Sequence, residues 1–144
     1  MRLRRLKNNS GNMFNVAMIL RRCGMVTGNK WELRFSTMDY RALFATEKIR
    51  QGETIITLPQ ATVQNPDKYS LEVLPGVHVD CSFSAAGAIN HSCNPTAMVK
   101  GNRVVAWRCI KPGEEITLDY KRTEHKLAEP FNCNCGNCDG KRIE

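Results

Sequence analysis

No run in this chain of 144 residues is apolar for long enough to cross a bilayer, which takes about 20 residues. The best candidate, residues 16–20, is short and lies between Asn15 and Arg21. A transmembrane segment is therefore not expected. There is no internal repeat and no low-complexity tract, which excludes repeat architectures. Acidic residues are absent from residues 1–31, where Arg2, Arg4, Arg5, Lys7, Arg21, Arg22 and Lys30 stand alone; the rest of the chain is formally neutral. An even cysteine count is also missing. Seven cysteines cannot pair into a closed disulfide framework, and three of them crowd between Cys133 and Cys138. This reads as a reducing, intracellular protein.

The length fits one domain, with enough chain to bury a core without disulfide help. The basic head suits a nucleic acid, an anionic surface or an acidic protein partner. Its Arg-rich, acid-poor composition equally suits organelle targeting, and a solvated head with no partner is a third reading. Residues 1–12 read as a flexible entry, 13–22 as one short helix or strand, and Gly24 and Gly28 as loop markers. Residues 31–35 alternate apolar and charged side chains, the pattern of a half-buried strand. Leu43-Phe44-Ala45, leading to Ile49 and the Gln51-Gly52 turn, predicts a second strand, and residues 54–58 before Pro59 a third. Within 60–80 only 77–79 reads as a strand. Residues 97–99 and 103–107 flank Gly101-Asn102, a hairpin signature. Residues 116–118 are expected to be the last strand. Many short strands between Gly and Pro turns indicate a mostly β fold with few short helices.

One stretch carries more polar chemistry than a core needs. Ala85-Ala86-Gly87-Ala88-Ile89 runs into Asn90-His91-Ser92-Cys93-Asn94-Pro95, placing an amide, an imidazole, a hydroxyl and a thiol side by side before a turn. The small residues allow close approach of another backbone or a flat ligand. Downstream come Gly113-Glu114-Glu115-Ile116-Thr117-Leu118-Asp119-Tyr120 and Cys133-Asn134-Cys135-Gly136-Asn137-Cys138.

In this order the three segments resemble the SET-domain protein lysine methyltransferases that carry a cysteine-rich post-SET tail. A weaker match at residues 43–53 extends the resemblance from Trp31 to the C-terminus. It implies a fold of small β-sheets with a C-terminal pseudoknot. The domains would be a basic extension at 1–30, a SET domain at 31–122 and a zinc-binding post-SET tail at 123–144. It also implies methyl transfer from S-adenosylmethionine to a lysine of a protein substrate, histone tails being the family's commonest, in the nucleus or cytoplasm. A catalytically silent SET fold that binds protein or nucleic acid is the alternative.

Lysine methylation needs a neutral amine aligned with a sulfonium methyl, with water kept out. By the resemblance Asn90 and His91 contact the cofactor, and an amide offers both an acceptor for its ammonium and donors for its carboxylate. Tyr120, taken as the end of a strand from Ile116, matches the active-site tyrosine that orients the amine. Asp119 fixes the local backbone. Leu118 stands in the substrate channel where the family often places Phe or Tyr; an aliphatic side chain there favours addition of several methyls. Phe131 is placed to cover the adenine or the lysine channel, or simply to pack. Where the family reads Gly-x-Gly, this chain has Tyr40-Arg41-Ala42, which implies either another loop path with Arg41 reaching the cofactor carboxylate or a cofactor site that is weakened or lost. Cys133, Cys135 and Cys138, with Cys93, supply four thiolates for tetrahedral zinc. The tail spacing Cys-x-Cys-x-x-Cys is shorter than the family's usual one. Cys23, Cys81 and Cys109 read as small buried apolar residues.

Overall fold

The computed structural model describes residues 30–35 and 41–144. The expectations for residues 1–29, including Cys23, and for Tyr40 lie outside these. Strand β1 (Trp31–Phe35) pairs antiparallel with β2 (Arg41–Ala45), Trp31 opposite Ala45 and Phe35 opposite Arg41. The alternation places Trp31 in the core, where its indole Nε1 donates to the Ile55 carbonyl at 3.2 Å.

Further along the chain β3 (Thr54–Thr57) opens a second sheet, completed by the hairpin of β8 (Ala97–Lys100) and β9 (Arg103–Ala106) in the order β3-β9-β8. The Gly101-Asn102 turn forms as expected. Gly101 has φ 58, the positive value required of the first central residue of a tight hairpin turn. A third sheet joins β4 (Thr62–Val63), β5 (Ser70–Leu74) and β6 (Val77–Asp80) in the order β4-β6-β5. Of these, only β6 was legible in the sequence.

The strand that organises the molecule is β10 (Glu115–Leu118). It enters the first sheet between β2 and β7 (Asn90–His91), giving the order β1-β2-β10-β7. It runs antiparallel to β2, with Ile116 opposite Leu43, and parallel to β7, with Thr117 opposite Asn90 and Leu118 opposite His91. This insertion sets a late strand between two earlier ones. Two buried threonines lock it: Thr117 N donates to Thr96 Oγ1 at 2.9 Å, and Thr96 N donates to Thr117 Oγ1 at 3.2 Å. Leu43, Ile49, Ile110, Ile116, Leu118 and Val104 fill the core beneath.

Several expectations need correcting. The strand stops at Leu118 instead of running to Tyr120. Asp119, in an extended conformation, caps a one-turn helix, Tyr120–Thr123, by accepting from Lys121 N at 3.1 Å. β10 is not the last strand, because β11 (Phe131–Asn132) pairs with β12 (Arg142–Ile143) in the tail. Cys109 is exposed, whereas Cys81 is fully buried as expected. Ile49 forms an isolated bridge to Ile110 beyond the end of β2. Among the described residues no helix is long and apolar enough to cross a membrane.

The small-residue run forms a 3-10 helix, Ala85–Ala88, capped by the Ser84 hydroxyl. Its close approach is to backbone. A Cβ at Gly87 would lie 2.4 Å from the Cys81 carbonyl oxygen. Gly87→Ala is therefore expected to cost about 3 kcal/mol of stability, read from chemical denaturation, because main chain rather than a mobile side chain must move.

Candidate active site and metal centre

The parallel pairing of β7 with β10 sets the site. Ser92 N donates to Leu118 O at 2.9 Å, after which the two chains part, one towards Cys93 and the other into the Asp119 cap. The cap turns Tyr120 back over His91, and Tyr120 N donates to His91 Nδ1 at 3.2 Å. Burial lowers the His91 pKa below its ordinary value, which favours the neutral ring. With Nδ1 accepting, the proton of that ring belongs on Nε2, which lies 3.3 Å from Cys93 Sγ. The Tyr120 hydroxyl donates to the Ile89 carbonyl at 2.6 Å.

His91, Tyr120 and Phe131 form an aromatic triangle, with ring centroids 5.3, 5.6 and 6.1 Å apart. Phe131 is held there by the β11–β12 pairing opposite the fully buried Ile143. Two clefts meet at this triangle. The larger, of about 760 Å³, is polar and is lined by Asn90, His91, Thr117, Asn134, Cys135 and Asn137. The smaller, of about 270 Å³, is lined by Tyr69, Leu71, Ile89, Glu124, Leu127 and Pro130. Tyr120 and Phe131 belong to the walls of both. The larger volume falls in the range of cofactor sites, roughly 300–1,000 Å³.

Both amide hydrogens of Asn90 are spent within the wall, on Arg41 O and Glu115 Oε1, each at 2.9 Å. Its Oδ1 accepts nothing from the described residues, so it remains the acceptor suited to a ligand ammonium. Arg41 contributes its carbonyl to this arrangement. Its guanidinium lies 5.2 Å over the Tyr69 ring and is not among the residues lining either cleft. Leu118 is fully buried in the core.

Cys93, Cys133, Cys135 and Cys138 converge from two distant segments, with their four sulfurs within 4.8 Å of one another. Cys93 and Cys133 are 3.9 Å apart, and Cys135 and Cys138 4.0 Å. Tetrahedral Zn–S bonds of about 2.3 Å place sulfurs about 3.8 Å apart, so the four fit the ion. The backbone joins in. Cys93 N donates to Cys135 Sγ at 3.5 Å and Asn137 N at 3.4 Å, and with these N–H groups the Cys135 thiol drops to about 6. Burial and the surrounding thiols push Cys93 up to about 12. Four such neighbours cannot all ionise unless a cation joins them.

Sequence reasoning missed Asn137, whose Nδ2 donates to Ser92 Oγ at 3.2 Å and ties the tail to the central segment. It also missed Tyr69 and Glu124. An amide between two tail cysteines was the available signal for the first; Tyr69 and Glu124 lay in stretches with no readable pattern.

The SET domain family model matches residues 40–121. The chain is 30% identical over 141 residues to a histone-lysine N-methyltransferase, H3 lysine-4 specific, of Cryptococcus neoformans, covering 77% of this chain and 10% of that protein. It is 35% identical over 77 residues to the methyltransferase flvH of Aspergillus flavus, covering 49% of this chain and 43% of the relative. The chain thus spans less than half the length of either. Among solved structures, KRYPTONITE in complex with mCHH DNA, an H3(1-15) peptide and SAH superposes with a TM-score of 0.59 at 22% identity, over 79% of this chain and 29% of that one. The methyltransferase domain of human SETMAR superposes with a TM-score of 0.58 at 19% identity, over 78% and 58%. At such identities the likeness is one of fold.

Proposed function

The chain belongs to the SET domain family, and from that premise we propose that it transfers a methyl group from S-adenosylmethionine to the ε-amine of a lysine in a protein substrate. The observation that carries the reading is the pair of clefts sharing Tyr120 and Phe131 as a common wall. Such a wall lets an amine approach from one side and a methyl donor from the other. The larger, polar cleft beside Asn90 and His91 suits the cofactor, and the smaller one suits an extended peptide with its lysine pointing inward. Histone tails are the substrate class that the names of the relatives favour, and a nuclear or cytoplasmic setting goes with them.

The cofactor, when bound, supplies an electrophilic methyl group. The protein's part is placement. Asn90 Oδ1 receives the ammonium of the amino-acid moiety, while the Asn90 amide hydrogens hold the wall rigid. Tyr120, anchored through Ile89 O and tilted against the His91 ring, presents its hydroxyl oxygen to the reacting amine. Phe131 excludes water, and in that dry cleft the lysine gives up its proton more readily, because desolvation disfavours the charged amine. Cys93, Cys133, Cys135 and Cys138 would hold zinc, whose part would be structural, keeping residues 133–138 against Cys93 so that Asn134, Cys135 and Asn137 complete the larger cleft.

Calorimetric titration of the zinc-replete protein with S-adenosylhomocysteine tests this without a known substrate. Binding is expected, and Asn90→Ala should weaken it about tenfold or more through loss of a charge-assisted hydrogen bond. A folded, zinc-holding protein that binds none would instead be a silent SET fold serving as a binding module.

A further inference from the structure

Away from the cysteine cluster, two glutamates far apart in the chain bind backbone across the gap between their segments, Glu72 accepting from His125 N and Glu124 from Glu72 N. Glu72, on β5, is buried, yet both of its carboxylate oxygens are engaged. Oε1 accepts from Gly76 N at 2.7 Å and lies 2.6 Å from His125 Nδ1, while Oε2 accepts from His125 N at 2.7 Å. Glu124 answers in kind. Its Oε1 accepts from Glu72 N at 3.0 Å, and its Oε2 lies 3.1 Å from His78 Nε2.

The exchange has a topological cause. β5 is an edge strand of its sheet, and on the side facing away from β6 the Glu72 N–H has no strand partner. A carboxylate from the chain that follows Tyr120 takes the place of that missing strand. Burial pushes the Glu72 carboxyl up, but the N–H groups of His125 and Gly76 and the His125 ring outweigh it and hold the group below its ordinary range. Glu72, His78 and Glu124 lie close enough to hold an ion. Their oxygens already accept from N–H donors, however, which is the bonding of a clasp.

The clasp borders the smaller cleft, whose lining includes Ser70 and Leu71 of β5, Tyr120, Glu124 and residues 126–131. Glu72 itself and His125 line a separate cleft of about 260 Å³. We propose that Glu72 and Glu124 are positioning residues that set the width of this cleft, holding the segment after Tyr120 at the distance from β5 at which a substrate peptide fits. The inference rests on the reading of this cleft as the lysine-binding one. A clasp of this kind acts on peptide capture, and it leaves the cofactor side, with Asn90 and the zinc tail, untouched.

The test uses the full zinc-replete chain and a lysine-containing histone-tail peptide. Glu72→Gln removes the charge and one of the two acceptor oxygens. It should raise KM for the peptide about tenfold while kcat falls less than about threefold, with affinity for S-adenosylhomocysteine unchanged. Hydrogen exchange at residues 125–131 should quicken in the same variant. His125→Ala deletes only the ring contact of a side chain that is 75% exposed. It is the variant that decides if Glu72→Gln fails to fold, with KM expected to rise about threefold. An unchanged KM in these folded variants, or a loss confined to kcat, overturns the proposal. A wild-type chain that binds S-adenosylhomocysteine but methylates no peptide overturns the proposed activity instead. The clasp is then judged by exchange alone, and unaltered protection at 125–131 in Glu72→Gln overturns it.

Discussion

Tyr120→Phe will lower kcat for methyl transfer by about two to three orders of magnitude while leaving affinity for S-adenosylhomocysteine within about twofold of wild type. The phenylalanine ring keeps its contacts with His91 and Phe131, whose centroids lie 5.3 and 6.1 Å away, so the shape of both clefts survives. What disappears is the oxygen that donates to Ile89 O. Loss of that hydrogen bond alone costs about 1 kcal/mol of stability and does not touch turnover. The large effect on kcat is expected only if the hydroxyl oxygen meets the reacting amine or the charge near the sulfonium. Single-turnover methylation of a peptide by the two proteins, compared at saturating cofactor, separates these cases. Equal rates would leave Tyr120 as a packing residue.

The second large effect is expected at the metal. Structural zinc held by thiolates contributes about 10–16 kcal/mol of apparent binding energy in small peptides at neutral pH. Here an ion held by the four cysteines would join Cys93, beside β7, to residues 133–138, of which Asn134, Cys135 and Asn137 line the larger cleft. Stripping the metal with a chelator, or Cys135→Ser, should release the tail and weaken S-adenosylhomocysteine binding about a hundredfold or more. One zinc per chain in elemental analysis of the wild type, and its loss in the variant, is the companion measurement. Cys109→Ser is the control, since Cys109 is exposed and apart from the cluster, and it should change neither quantity. Retention of full cofactor affinity without metal would mean that hydrogen bonds such as Asn137 to Ser92 hold the tail alone.

The site was more legible in the sequence than the frame around it, for a physical reason. Asn90, His91, Tyr120 and the four cysteines are chemically conspicuous, and their placement follows from short segments whose local order matters. The strand at 31–35 was legible from its alternation of apolar and charged residues, and that at 103–106 from its apolar run after the Gly101-Asn102 turn. β5 was not, because its Ser-Leu-Glu-Val-Leu places a glutamate where burial forbids one unless every oxygen is satisfied. The groups that satisfy Glu72, the amides of Gly76 and His125, are invisible to periodicity. The end of β10 was misread for a related reason. Asp119 looks like one more alternating residue, but its side chain accepts the Lys121 amide and starts a helix, which turns Tyr120 towards His91. Arg41 was singled out for its charge, while the group that fixes Asn90 is its carbonyl.

The position of β10 between β2 and β7 also bears on the order in which the molecule is assembled. Ile116 meets Leu43 across most of the domain, and Thr117 meets Asn90 in a parallel pairing that no hairpin can prepare. Closing such loops carries an entropic cost before any contact repays it, and folding slows as contacts lie farther apart in sequence. The hairpin of β8 and β9 can form on its own. The Asn90, His91 and Tyr120 constellation has no precursor of this kind, since its members meet only once the late strand has slotted between two earlier ones. Catalytic competence would then be gained in the closing event of folding, and lost in the first step of unfolding that withdraws β10.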